Sequence, residues 1–203
     1  MLNLQKFFVR QRIEHLAEEA KRLGATASAI ISSGDIQVRD DLAALCNGEY
    51  PCPNYGIAAS CPPHVEGPAE FRRWQVQSQY SITVKIELPT AILFSDRNEL
   101  MQLLHQITAA VEQKAIRAGY KDSKAFAGGS CKGLFCNDQA TCCVVAEGKP
   151  CRHAESARPS MSGFGIDVTQ LMLSSGWSAE KAENKNVSDQ DAVSWVAGLI
   201  MLA

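Results

Sequence analysis

Leu4, Phe7, Phe8, Leu16, Ala17, Ala20 and Leu23 recur at helical spacing, which predicts an amphipathic helix over 4–23 ended by Gly24. Ser28 to Ser32 is short and isoleucine-rich. Gly34-Asp35 then reads as a turn, and Ile36 to Val38 could resume an extended run, making a hairpin. Ser81 to Leu88 alternates Ile82, Val84, Ile86 and Leu88 with Thr83, Lys85 and Glu87, the period of a strand. Asp96 with Glu99 has capping-box spacing ahead of a helix running through Leu100, Leu103, Leu104, Ile107 and Val111 to about Arg117. Lys124 to Ala127 reads as a short strand leading into Gly128-Gly129. Asp167 with Gln170 repeats the capping spacing, and the helix it opens ends at Gly176. Val193 to Leu202 suits a central strand or a last helix, with Gly198 favouring the strand.

Strands and helices thus alternate, so the fold class expected is α/β or α+β: a layered mixed sheet with helices packed on it. The chain reads as one domain over 1–203. Between 46 and 68 lie five prolines and three glycines, so this stretch is loop, with Pro68 suited to the first turn of a helix carrying Phe71 and Trp74. A second loop is expected over 128–153.

Composition narrows the class. The chain has 203 residues, 46% hydrophobic and 21% charged, close to an average globular protein and long enough to bury a core without covalent staples. Its formal net charge of -2 lacks the basic excess of a nucleic-acid binder, so no nucleic-acid partner is expected. Its apolar runs are too short to span a bilayer, and Met1 to Phe8 lacks the uninterrupted apolar core of a signal peptide. The expectation is a cytoplasmic protein with no membrane partner.

Cysteine changes the picture. Its eight copies fall in two groups, Cys46, Cys52 and Cys61, then Cys131, Cys136, Cys142, Cys143 and Cys151. An even count permits four disulfides, but a reducing cytosol disfavours them, and clustered cytoplasmic cysteines read first as a metal site. Zinc usually sits on tight C-x2-4-C knuckles, with sulfurs about 2.3 Å from one ion. Here there is no C-x2-C pair; in the second group four residues separate Cys131 from Cys136 and five separate Cys136 from Cys142. A cubane spreads its ligands around a larger object, so the looser spacing suits an iron–sulfur cluster, 4Fe-4S, with zinc as the alternative.

A cubane takes four ligands. Cys131, Cys136 and Cys151 stand alone, whereas Cys142 and Cys143 are adjacent. Neighbouring side chains in extended chain point opposite ways, so one of this pair ligates; Cys142 is favoured. Lys132, Lys149, Arg152, His153 and Arg158 bring positive charge to the loop, where cations or N–H donors stabilise a negatively charged cluster. Arg152 and Arg158 are therefore candidate cofactor-binding residues. So is Gly129, whose glycine pair could free backbone N–H groups or simply make a turn. Cys46, Cys52 and Cys61, with His64 nearby, could form a Cys3His zinc site or a three-cysteine cluster with an outside fourth ligand. His64 reads equally as a loop histidine. There is no P-loop, H-E-x-x-H or G-x-S-x-G, and Gly163-Phe164-Gly165 lacks the third glycine of a dinucleotide fingerprint.

Several of these strings occur together. Cys52-Pro-Asn-Tyr-Gly-Ile-Ala-Ala-Ser-Cys61-Pro-Pro-His64 is followed by Gly129-Ser-Cys131, Pro150-Cys151-Arg-His153, Ala157-Arg-Pro-Ser160-Met161 and Gly165-Ile-Asp-Val168. The ordered set resembles a family of predicted metal-binding proteins of bacteria and archaea, catalogued as domain of unknown function 2284, over roughly residues 25 to 200. The resemblance implies metal binding but no assigned reaction. It supports Cys46, Cys52 and Cys61 as one group and Cys131, Cys136, Cys142 or Cys143, and Cys151 as another. The chain departs at Ile57-Ala58-Ala59, where many members carry a lysine and polar residues. Arg158 to Asp167 matches well, as a segment whose arginine neutralises a cluster or as a structural cap.

The leading expectation is an iron–sulfur protein in electron transfer or redox chemistry, with an unidentified redox partner protein or small molecule. The alternatives are a structural zinc interaction module and a thiol–disulfide oxidoreductase using Cys142-Cys143 or the N-terminal cysteines.

Overall fold

The computed structural model describes residues 2–180 and 192–203. In chain order come α1 (Leu2–Arg22), β1 (Ala27–Ser32), α2 (Asp40–Ala44), α3 (Gly67–Gln77), β2 (Tyr80–Pro89), α4 (Thr90–Ser95) and α5 (Arg97–Arg117). They are followed by β3 (Lys124–Phe126), α6 (Cys131–Phe135), α7 (Cys143–Glu147), α8 (Val168–Ser174) and β4 (Val193–Leu202). The four strands form one sheet in the order β1-β2-β4-β3, every pairing antiparallel, with an isolated parallel bridge between Ala127 and Ser160.

Strand periodicity sorts the core into two layers. From β2, Ile82, Val84 and Ile86 join Ile200 and Leu202 of β4 against Ile13, Leu16, Ala17 and Ala20 of α1 and Leu104, Ile107 and Val111 of α5. The alternate residues of β4, Trp195, Ala197, Leu199 and Met201, face the other way. They pack with Phe71, Phe126, Phe164, Leu171 and Met172. The three phenylalanines meet at ring separations of 5.0, 5.2 and 6.1 Å. Each fully buried ring contributes about 2–3 kcal/mol.

Ser81, Thr83 and Lys85 of β2 are buried as well, because sheet and helices cover both sides of this part of the strand. Ser81 meets Ser33, itself bonded to Ser78, at 2.8 Å; Thr83 meets Ser175 at 2.7 Å, and Lys85 pairs with Glu87 at 2.7 Å. Gly198 permits close packing of α5 on the centre of the sheet. A Cβ there would lie 2.5 Å from Thr108 Cγ2 and 3.2 Å from the Phe126 carbonyl oxygen.

Three local expectations are corrected. Ile36 to Val38 makes no hairpin with β1: β1 pairs with β2, and Val38 bridges to Ile166. Asp96 does not cap α5 with its side chain, because Thr90–Ser95 is already helical and Asp96 occupies the bend between two helices. The apolar face expected over 4–23 is buried from Ile13 through Ala20, but Phe7 and Phe8 are exposed and the side chain of Leu4 lies outside the described set. Asp167 does cap α8, accepting from the Gln170 N–H at 3.1 Å.

Candidate metal centre

Two segments distant in sequence meet at one end of the sheet. The first runs from Cys46 to His64 and is folded on itself by backbone bonds from Cys52 N–H to Cys46 O (3.1 Å) and Gly56 N–H to Pro62 O (2.8 Å). His64 Nε2 lies 3.0 Å from Gly56 O, within this loop. The second runs from Gly128 to Ser162. They are joined by Ser60, whose carbonyl accepts from Ser160 N–H at 2.9 Å and whose hydroxyl accepts from Cys131 N–H at 3.3 Å. The same hydroxyl is 3.8 Å from Cys61 Sγ. Gly163 lets the segments close, since a Cβ there would come within 2.9 Å of Val65 and 3.0 Å of Pro62.

All eight cysteines are free thiols. Cys46, Cys52 and Cys61 line one pocket of about 110 Å³ with Tyr55, Gly129 and Ser130. Cys61 is buried and Cys52 exposed. Burial pushes the Cys46 thiol up, and the neighbouring Cys52 and Cys61 push it the same way. Ser130 is only 7% exposed, and its hydroxyl has no hydrogen-bond partner among the described residues. Sequence reasoning assigned no role to Ser60 or Ser130, although each immediately precedes a cysteine.

The second group is arranged by two single-turn helices. Cys131 opens α6 and Cys136 follows its end, while Cys142 sits immediately before α7. Burial raises the Cys131 thiol to about 11, opposed by the Ser60 hydrogen bond and reinforced by charge repulsion from Cys151, Cys61 and Cys142. Cys136 is also raised, first by burial and then by Cys151, with Arg152 and Lys132 opposing. Cys151 and Cys142 thus act on both Cys131 and Cys136, and Cys61 of the first group acts on Cys131 ahead of Cys142.

Cys142 behaves differently. Burial acts to raise its thiol, but hydrogen bonds from the backbone of Ala59, Val145 and Val144, with Arg152 nearby, outweigh it and lower the pKa. The Ala59 bond reaches across from the first cysteine segment. Cys151 Sγ accepts from His153 N–H at 3.4 Å. Cys143 is buried, and its thiol donates to Pro150 O at 3.4 Å, so the adjacent pair faces two environments. Among the described residues, no three His, Cys, Asp or Glu side chains converge closely enough to hold a single metal ion.

The cations divide by role. Arg152 is exposed, and its charge reaches both Cys136 and Cys142. Lys132 Nζ donates to the carbonyls of Cys136 (2.7 Å) and Gln139 (2.6 Å), fastening the turn after α6. Arg158 is buried and donates to Glu112 at 2.7 Å and to the carbonyls of Ala154 and Ala157, so its charge is balanced by Glu112. Gly129, with φ +75°, lines the three-cysteine pocket, and a Cβ there would lie 3.0 Å from Met101 Cε. His153 stacks on Phe135 at 5.5 Å, and Trp74 packs in the phenylalanine layer.

No helix among the described residues is long and apolar enough to cross a membrane. No curated protein and no solved structure is detectably similar to the chain. A family model for predicted metal-binding proteins, DUF2284, matches residues 29–201, which takes in all eight cysteines and the sheet that carries their loops. By that match the chain belongs to the DUF2284 family of predicted metal-binding proteins.

Proposed function

We propose that the protein is an iron–sulfur protein in electron transfer or redox chemistry, with Cys131, Cys136, Cys142 and Cys151 as the thiolates that hold the cluster. The observation that carries this reading is that Cys151 and Cys142 act on both Cys131 and Cys136, while the Cys143 thiol donates to Pro150 O instead. The donor set suits the group. Cys142 accepts backbone hydrogen bonds from both segments and Cys151 accepts one from His153, which are the contacts that stabilise thiolate sulfur. Exposed Arg152 adds positive charge beside two of the four. The sequence spacing, with four and five residues between successive cysteines from Cys131 to Cys142 and no C-x2-C knuckle, suits a cluster better than a single zinc.

When bound, a cluster supplies one-electron redox chemistry; the chain supplies the thiolates, their N–H donors and partial shielding from water. Phe135 lies between His105 and His153, at 5.7 and 5.5 Å, and with buried Leu134 gives the loop an apolar side. Purification without oxygen followed by iron and sulfide analysis and electron paramagnetic resonance tests the proposal. A brown protein that bleaches with dithionite, and loses its colour in Cys131→Ser, is expected. A colourless preparation with stoichiometric zinc overturns it in favour of a structural site, and metal-free protein with reducible disulfides overturns it in favour of thiol exchange.

A further inference from the structure

Beside the three-cysteine pocket lies a larger cavity, of about 490 Å³, walled by the start of α5, the Gly128-Gly129 turn, Met161-Ser162 and the first residues of β4. Its volume falls in the range of small-molecule sites, roughly 300–1,000 Å³. Gly129 and Ser162 line both this cavity and the cysteine pocket, so the two spaces adjoin.

The walls define a chemistry. Leu93, Met101, Met161, Val168, Trp195 and Val196 form its apolar part, and Ser162, Ser194 and the Gly128-Gly129 backbone contribute to a polar part of about equal extent. Arg97 is the charged residue among the lining groups. It is exposed and has no hydrogen bond or ion pair with any described residue. Arg39, Arg72 and Arg158 are engaged with Asp41, Asp40 and Glu112, whereas Arg97, like Arg12, Arg117 and Arg152, pairs with no described residue; of these four it is the one that lines the cavity. A chamber whose wall is about half apolar, with a guanidinium at its edge that has no described partner, is complementary to a body with an apolar part ending in an anion. At the cysteine side, the unpartnered buried hydroxyl of Ser130 is a polar group without a protein partner, and buried polar groups rarely remain so.

We propose that this cavity binds a small organic acid, with its anionic end on Arg97 and its apolar body along Met101, Met161 and Trp195. The bound molecule extends towards Gly129 and Ser162, where the cavity meets the pocket of Cys46, Cys52 and Cys61. The site depends on no particular metal, so its success or failure is separable from that of the iron–sulfur reading.

Isothermal titration of anaerobically purified protein with straight-chain monocarboxylates from acetate to octanoate tests this, with metal content measured on the same sample. Saturable binding is expected, strengthening roughly two- to fourfold per added methylene until the chamber is filled, since each buried methylene adds apolar transfer energy. Hexanol, which lacks the charge, should bind at least about tenfold more weakly than hexanoate. Arg97→Ala, at an exposed position, should lose that preference for the acid while keeping the unfolding temperature, and Arg97→Lys should retain part of it. Ser162→Phe should shorten the longest acid accepted. No saturable binding across the series, equal binding of hexanol and hexanoate, or undiminished hexanoate binding by Arg97→Ala each overturns the proposal, whatever the metal content.

Discussion

The backbone N–H of Cys131 donates to the hydroxyl of Ser60 at 3.3 Å, across 71 positions of sequence. That hydroxyl also lies 3.8 Å from Cys61 Sγ. A single buried serine therefore touches both cysteine groups, and the charge of Cys61 is felt at Cys131. The two groups are parts of one assembly whose alignment is set by a neutral hydrogen bond.

Ser60→Ala leaves the Cys131 N–H without that acceptor. A loss of about 1–2 kcal/mol in unfolding free energy is expected, with reduced retention of bound metal during gel filtration. Urea unfolding and metal analysis of the variant measure both. Unchanged values in each would show that the segments are aligned by other contacts.

Cys142 and Cys143 should differ as variants. Cys142→Ala is expected to lower metal content sharply. Cys143→Ala should leave it intact and cost about 1 kcal/mol of stability, because that buried thiol loses its bond to Pro150 O. Elemental analysis of the two purified variants decides the matter, and the opposite ranking would reverse the assignment.

Buried Arg158 pairs with partly buried Glu112, tying the cysteine region to α5. Burial raises the Glu112 carboxyl, with Arg158, the Ala125 N–H and Lys124 opposing that shift. Removing one partner leaves a buried charge, so Arg158→Met or Glu112→Gln should each cost about 3–5 kcal/mol. The double variant should recover part of the loss in a double-mutant cycle. Additive losses would mean the two residues act independently.

His105 supplies a pH dependence. Its Nδ1 accepts from Arg158 N–H at 3.0 Å and its Nε2 lies 3.1 Å from Gly128 O, so the neutral ring fits with both nitrogens engaged. Burial lowers its pKa from 6.5 to about 4, opposed by the Gly128 bond, with Arg158 adding to the decrease. The unfolded chain therefore binds a proton between those values that the folded chain refuses. Stability contributed by the neutral ring is present above pH 6.5 and is lost as the pH falls towards 4, by on the order of 3 kcal/mol. Urea midpoints over that interval should decline more steeply in the parent protein than in His105→Gln. Equal slopes would remove His105 as the cause.

Ser130→Ala removes a buried hydroxyl that has no partner among the described residues. Without added ligand the variant should be as stable as the parent or more so, by about 1 kcal/mol, since an unsatisfied polar group is expensive to bury. Thermal unfolding gives the comparison. A loss of stability would mean that the hydroxyl is bonded in solution, for instance to a trapped water.

The elements most legible in the sequence were those whose side-chain period is decided locally. β2 announced itself through alternating Ile82, Val84 and Ile86, and β4 through the apolar run in which Gly198 favoured a strand. The length of α5 and the Asp167 cap followed the same logic. The hairpin at Ile36 to Val38 failed because a turn signal states that the chain reverses but not which strand it will join; β2, which begins 42 residues after Val38, supplied the longer ladder. The capping spacing at Asp96 failed because the preceding turn was itself helical.

The candidate site divides in the same way. Sequence grouped the cysteines and marked the cations, and it favoured Cys142 of the adjacent pair. It could not distinguish exposed Arg152 from Arg158 paired with Glu112, because pairing depends on a helix 46 residues away. Nor could it assign Ser60 and Ser130, although the repeated Ser-Cys step was available as a signal.

What the sequence determined by itself was the chemistry offered: eight thiols in two groups, alternating elements to carry them, and membership of a predicted metal-binding family. Tertiary structure alone decided which thiols became neighbours, which arginine came to line a cavity and where that cavity opened beside Gly129. The reason is one of range. Periodicity and capping are fixed by residues a few positions apart, whereas burial, charge pairing and enclosed volume arise only when distant segments exclude water together.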